Sequence, residues 1–201
     1  VEYSFGRQNW FDYAQAEQKA ARNDVAMIDY SMLGKLMVEG PDAEAFLQRI
    51  CTNNMAIPVG RVAYTLMLNS RGGIESDVTV ARHADDSFMM MSSISHTRRD
   101  YIHLRDNISD DEEVRLRDVT SSYGVLGIMG PKSRDLLQAV SDIDLSNAAF
   151  PFNSFQEFYI GHARVFAQRL SYSGELGWEI FVEPDFAEHV FDVLFEHGEK
   201  F

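Results

Sequence analysis

Two carboxylates are singled out by where they fall. Asp77 and Glu179 each follow a glycine-rich turn and sit on the returning strand of a hairpin. A carboxylate can accept paired N–H donors or move a proton, the chemistry of ligand anchoring and of general acid–base catalysis. Ile74, Val78 and Val80 are even-numbered and Asp77 odd, so Asp77 projects from the face opposite Val78 and Val80. Two readings stay open on this pattern alone: acids on either side of one central cleft, or two solvated strand acids. The remaining reactive groups form no constellation. The six histidines (His83, His96, His103, His162, His189 and His197) show no HxxxH or HExxH spacing, so no metal site is expected. Cys51 has no histidine placed beside it and reads as a small packing residue. Neither GxGxxG nor GxxxxGK(S/T) occurs, which leaves no dinucleotide or phosphate-loop fingerprint.

The elements that must position these acids come in two copies. GKLMVEGPDAEAFLQRI (34–50) aligns with GVLGIMGPKSRDLLQAV (124–140), sharing Gly40/Gly130, Pro41/Pro131 and Leu47/Leu137 among six identities. Each copy is a strand feeding a helix through a Gly-Pro corner, with proline acceptable in the first helical turn. Ala43, Phe46, Leu47 and Ile50 fall at i, i+3, i+4 and i+7, which predicts one buried helix face. Downstream, LNSRGGIESDVTV (68–80) aligns with LSYSGELGWEIFV (170–182) and sets Asp77 against Glu179. The whole is read as one domain over 1–201 with an internal repeat at 34–82 and 124–183.

Strands are predicted over 62–68, 74–81, 88–92 and 114–119, with Asn69-Ser70-Arg71-Gly72-Gly73 closing a hairpin. Helices are predicted over 10–23, 95–107 and 184–200. The last has Phe186, Val190, Phe191 and Leu194 on one face. Alternating strands with interspersed helices give an α+β fold: two pseudo-symmetric halves with largely antiparallel sheets flanked by helices.

Composition narrows the function classes. Of 201 residues, 18 are Lys or Arg and 31 Asp or Glu, a formal charge of −13. The basic residues are scattered, so neither nucleic acid nor an anionic membrane surface is an expected partner. No run approaches the ~18 apolar residues of a membrane span. A single cysteine excludes an internal disulfide framework and points to a reducing, intracellular setting. The first residue is Val1 and the C-terminal helix stops abruptly at Phe201, so the chain is expected to be a piece of a longer protein.

Two stretches carry a resemblance. Tyr64-Thr65-Leu66-Met67-Leu68-Asn69 followed by Gly72-Gly73-Ile74-Glu75-Ser76-Asp77, and Tyr172-Ser173-Gly174-Glu175-Leu176-Gly177-Trp178-Glu179, together resemble the aminomethyltransferase family, the glycine cleavage T-protein and its relatives. The opening Tyr3-Ser4-Phe5-Gly6-Arg7-Gln8-Asn9-Trp10-Phe11 and Leu145-Ser146-Asn147-Ala148-Ala149-Phe150-Pro151 are similar to the folate-binding region of dimethylglycine and sarcosine dehydrogenases.

The resemblance implies a tetrahydrofolate site and a one-carbon transfer from an N-methylated amine or a glycine-derived donor. It implies Asp77 as the functional acid, stabilising charge and helping move a proton at the folate amine. It implies Glu179 as the anchor of the pterin ring, accepting its adjacent N–H donors. Tyr64 and Tyr172 match aromatic positions of the pterin pocket, and Thr79, two residues beyond Asp77, offers a backbone or hydroxyl contact. Each tyrosine, on its residue type alone, is equally a half-buried strand aromatic.

In the family the chain continues with an arginine-bearing segment and a barrel domain, and in the dehydrogenases a flavin domain precedes. FAD is therefore expected only if the full-length protein carries such a domain, and a fused or partner dehydrogenase domain is an expected partner. The alternatives in the same family are a folate-binding module without catalysis and demethylation of a sulfonium donor. Relatives serving RNA modification carry a cysteine near the second hairpin; Tyr172-Ser173-Gly174-Glu175 has none, which argues against them. Expected localisation is cytoplasmic, or the mitochondrial matrix in a eukaryote.

Overall fold

The computed structural model describes residues 1–201, arranged as two compact units. One comprises residues 1–29, 125–151 and 157–201; the other comprises 30–124 and 152–156. Each is an antiparallel β-sheet with helices against it.

The 30–124 unit holds β2 (Gly34–Glu39), α2 (Ala43–Ile50), β3 (Val62–Leu68), β4 (Ile74–Ala84), β5 (Ser87–Ser92), α3 (Thr97–Asp106) and β6 (Arg115–Asp118), in the sheet order β3-β4-β5-β2-β6. The other unit holds α1 (Phe11–Asn23), β1 (Ala26–Asp29), β7 (Gly124–Met129) after its first residue, α4 (Ser133–Val140), β8 (Phe155–Ile160) after its first two residues, β9 (Ala163–Gln168), β10 (Gly177–Val182) and α5 (Pro184–Gly198), in the order β1-β7-β10-β9-β8.

The two Gly-Pro corners are built alike. Gly40 and Gly130 have φ of 129° and 133°, a region open to glycine and strained for other residues. A Cβ at either would also run into a backbone carbonyl, that of Glu113 or of Asp24. After the corner, α2 turns Ala43, Phe46, Leu47 and Ile50 inward as its spacing predicts. They pack with Leu36, Val38, Val78, Val80, Phe88 and Met90. Phe46 and Leu47 are fully buried, worth about 1.5–3 kcal/mol each. In the other unit Leu136 and Leu137 of α4 and Val190 and Leu194 of α5 meet Ile128, Val165, Trp178 and Ile180.

Two features of the topology go beyond the sequence reading. The first is a reciprocal exchange of strands. β1 precedes β2 in the chain but pairs with β7, whereas β6 precedes β7 but pairs with β2. The second concerns the repeat after residue 50. The Gly40 amide donates to the carbonyl of Asp86, immediately before β5, and the Gly130 amide to that of Leu176, immediately before β10. β5 and β10 are both six-residue central strands, beside β2 and β7 respectively. Sheet order thus gives Glu179, the third residue of β10, the place of Met89, the third residue of β5. It does not give it the place of Asp77 on β4, as the alignment of 68–80 with 170–182 has it. That alignment captures local hairpin chemistry: Gly72 and Gly174 both have positive φ, 76° and 81°. The hairpins nevertheless sit in different parts of their sheets. One includes the edge strand β3, the other the central strand β10.

One expected inward residue also differs. Ile74 is 64% exposed, because a bulge at Met67/Leu68 shifts the register where it pairs with Leu68.

Candidate functional site

The β3–β4 hairpin holds three of the five candidate residues on one face. Its turn is knotted by Asn69, whose Oδ1 accepts from the backbone N–H of Arg71 and Gly73, both at 3.0 Å. Across the ladder Leu66 faces Asp77 and Tyr64 faces Thr79. These four point away from the core, while Ser76, Val78 and Val80 point into it. The Tyr64 hydroxyl donates to Asp77 Oδ2 at 3.0 Å. That bond fixes one carboxylate oxygen and raises the phenol's pKa above its ordinary value, because the phenolate would lose the bond beside a negative group. Asp77 is exposed and its other oxygen has no protein partner, so it is available to an incoming N–H. Thr79 lies between Tyr64 on β3 and Met91 on β5.

Behind that strand lies a carboxylate the sequence reading did not single out. Asp100, in the first turn of α3, is buried, and its Oδ2 accepts hydrogen bonds from Ser76 Oγ at 2.8 Å and from Ser92 Oγ. One side chain therefore ties β4 and β5 to α3, one residue away from Asp77.

The β9–β10 hairpin holds Glu179 in a different setting. Glu179 is 8% exposed and pairs across the strands with Gln168, which is 0% exposed. The two project from the same face, next to the stacked rings of Phe166 and Phe181, whose centroids are 4.4 Å apart. Both polar atoms of the Gln168 amide lack a hydrogen-bond partner, and no hydrogen bond or ion pair reaches the Glu179 carboxylate, whose only perturbing influence is burial. Burial pushes its pKa up to about 7. Glu179 is therefore not a solvated strand acid. A buried carboxyl and a buried amide without partners are each costly, by about 1–3 kcal/mol per unsatisfied group. Such groups fit a ligand that brings its own donors and acceptors.

Next to Gln168 in the chain, Arg169 donates to the Phe150 carbonyl at 2.7 Å and stacks over Trp178, leaving its buried Nε unpartnered. Desolvation, then neighbouring Arg134, holds its pKa below the ordinary value. Tyr172 stands in the loop between β9 and β10 and is 87% exposed. The structure brings together Tyr64, Asp77 and Thr79 in one unit, and Glu179 with Gln168 in the other. Gln168 was not singled out from sequence; its only signal there is its place directly after the apolar run Val165-Phe166-Ala167.

Two surface grooves contain none of these residues. One, of about 790 Å³, runs along Arg98, Tyr101 and Thr120; the other, of about 620 Å³, along α4 and α5. Cys51 is buried and its thiol is pushed up to about 12, chiefly by desolvation, which keeps it from acting as a nucleophile. No helix is long and apolar enough to cross a membrane.

Two antiparallel sheets with flanking helices match the aminomethyltransferase fold. The structure superposes on the glycine cleavage system aminomethyltransferase T from Bartonella henselae with a TM-score of 0.78 at 24% identity, over 92% of this chain and 48% of that one. On a chain of the heterotetrameric sarcosine oxidase from Corynebacterium sp. U-96 the TM-score is 0.70 at 18% identity, over 98% and 97%.

The profile described as GCVT N-terminal domain matches residues 1–201, and the chain belongs to that family. It is 36% identical to an aminomethyltransferase from Halothermothrix orenii, over 90% of this chain and 50% of that protein. It is 35% identical to a 4-methylaminobutanoate oxidase (formaldehyde-forming) from Paenarthrobacter nicotinovorans, over 98% and 24%. To the sarcosine oxidase subunit alpha of Rhizobium meliloti it is 34% identical, over 96% and 20%. The chain thus spans between a fifth and a half of the length of these curated relatives.

Proposed function

We propose that residues 1–201 form a tetrahydrofolate-binding domain of a one-carbon transferase, in which Glu179 anchors the pterin ring and Asp77 is the functional acid. The observation that carries the proposal is Glu179 itself. A carboxyl group buried without a protein partner, beside an equally unpartnered amide and a pair of stacked aromatic rings, suits a flat heterocycle with paired N–H donors.

Bound tetrahydrofolate would supply the nucleophilic nitrogen that accepts the one-carbon unit. Everything else falls to side chains. Glu179, as the carboxylate, accepts two adjacent ring donors and so fixes the ring's orientation. Asp77 has one oxygen held by the Tyr64 hydroxyl and offers the other to the reacting amine. There it steadies positive charge and takes up a proton. Thr79 and Tyr172 are assigned as further ring contacts, Tyr172 through its exposed ring.

The donor is a small N-methylated amine or a glycine-derived aminomethyl group. Two of the relatives named above are oxidases of N-methylated amines, which supports a fused or partner dehydrogenase domain, with FAD bound there. The chain's single cysteine suits a cytoplasmic setting, or a mitochondrial matrix one in a eukaryote.

The test is titration of the full-length protein with tetrahydrofolate, alongside Glu179→Gln. Binding by the parent and loss of at least tenfold in the variant is expected. Equal affinity in the two would remove Glu179 as the anchor.

A further inference from the structure

We propose that Gln168 is a second ring-reading residue, whose side-chain amide donates to the acceptor atom flanking the two donors that Glu179 takes. The inference rests on the assignment of Glu179 as the pterin anchor and extends it to a residue that no motif marks.

Three observations meet at Gln168. Its amide is fully buried, yet neither the oxygen nor the nitrogen has a hydrogen-bond partner. It stands directly opposite Glu179 in the β9–β10 register, on the same face of the sheet. The neighbouring pair on that face is Phe166 and Phe181, stacked on one another, so along the ladder the amide sits between Glu179 and an apolar pair. Nearly all buried amides in folded proteins are paired. One left open beside an open carboxylate marks a place where partners arrive from outside.

The chemistry of the ring edge says what Gln168 contributes. Around the pyrimidine part of a pterin the order is carbonyl oxygen, ring N–H, exocyclic amino group, ring nitrogen: acceptor, donor, donor, acceptor. A carboxylate satisfies the two central donors and nothing else, because it has no hydrogen to give. Whichever flank Gln168 meets, the next ring atom is an acceptor and requires a donor. The amide nitrogen supplies it, and the amide oxygen remains to accept a second hydrogen from a neighbouring amino or ring N–H. A carboxylate–amide pair therefore discriminates a pterin from a flat heterocycle that presents donors alone.

The test uses Gln168→Met and Gln168→Leu in the full-length protein, with affinity for tetrahydrofolate and for a tetrahydropterin ring without side chain, and thermal unfolding of the ligand-free protein. The amide is unsatisfied without ligand, so removing it should leave the melting temperature unchanged or raise it. Affinity for both probes should fall about tenfold. This combination separates reading a ligand from holding the fold, because loss of a structural hydrogen bond would lower the melting temperature. Wild-type affinity in a folded Gln168→Met or Gln168→Leu protein overturns the proposal, as does a lowered melting temperature in both variants. If Glu179→Gln weakens binding while both Gln168 variants bind as the parent does, the Gln168 assignment alone fails. If the parent itself does not bind tetrahydrofolate, the assignment of Glu179 fails with it.

Discussion

Glu179 occupies in its sheet the place that Met89 occupies in the other, the third residue of a six-residue central strand. One architecture places a thioether there and a carboxyl group in the other copy, both buried. The equivalent place in the other sheet holds an apolar side chain, so this strand position does not by itself demand an acid. Its burial without a partner costs stability.

The cost should be measurable as a pH-dependent stability. The folded-state pKa of Glu179 is raised to about 7, above the ordinary 4.5. Between those values the folded protein holds a proton the unfolded chain has released, so stability falls as pH rises from about 4.5 to 7 and is level beyond. Glu179→Gln, or Glu179→Met after the other copy, should therefore be more stable than the parent at pH 8, by up to roughly 3 kcal/mol. The gain should vanish near pH 4.5. Urea unfolding at the two pH values checks it.

The same titration should govern ligand affinity. Only the carboxylate accepts two N–H donors, so below about 7 binding must first expel a proton. Tetrahydrofolate affinity should rise up to tenfold per pH unit between 5 and 7 and then level off. A flat profile in calorimetry over that range would contradict the anchoring role.

On the β3–β4 hairpin the effects should fall on transfer rather than on the fold. Tyr64 is 57% exposed, so Tyr64→Phe should shift stability by less than about 1 kcal/mol while releasing Asp77 Oδ2. Asp77→Asn should lower the single-turnover transfer rate by at least tenfold more than it lowers folate affinity. Equal losses in the two measurements would reassign Asp77 from chemistry to binding.

Asp100 should behave in the opposite way. Removing a buried acceptor shared by Ser76 and Ser92 strands the Ser76 hydroxyl and leaves Ser92 only its 3.4 Å bond to the Ser93 carbonyl. Asp100→Ala is expected to destabilise by about 2–4 kcal/mol, read as a lower urea midpoint. Ser76→Ala, which removes one of the two donors, should cost less.

At the corners, Gly40→Ala and Gly130→Ala should each destabilise by more than about 1 kcal/mol, because both residues have positive φ and face a backbone carbonyl. Chemical denaturation of the two variants measures this.

Local patterns made much of this legible. The i, i+3, i+4, i+7 spacing of Ala43, Phe46, Leu47 and Ile50 set the buried face of α2. The turn residues Asn69 to Gly73 set the first hairpin, and the two Gly-Pro corners set matching strand–helix units. Alternation along β4 set which way Asp77 faces. All of these depend on residues within a few positions of one another, where spacing alone dictates geometry.

What joins distant segments was decided only in three dimensions. Sequence identity between hairpins made Glu179 the counterpart of Asp77; hydrogen bonding from the corner glycines, together with sheet order, made it the counterpart of Met89. The exchange of β1 and β6 left no trace in either strand, because pairing is chosen by a partner far along the chain. Gln168 looked like any polar residue ending a strand until the register set it, buried, against Glu179. The sequence by itself determined that two acids follow glycine turns; tertiary structure decided which is solvated and which lies buried without a partner. Burial and hydrogen-bond satisfaction are properties of everything packed around a residue, not of the residue or its spacing.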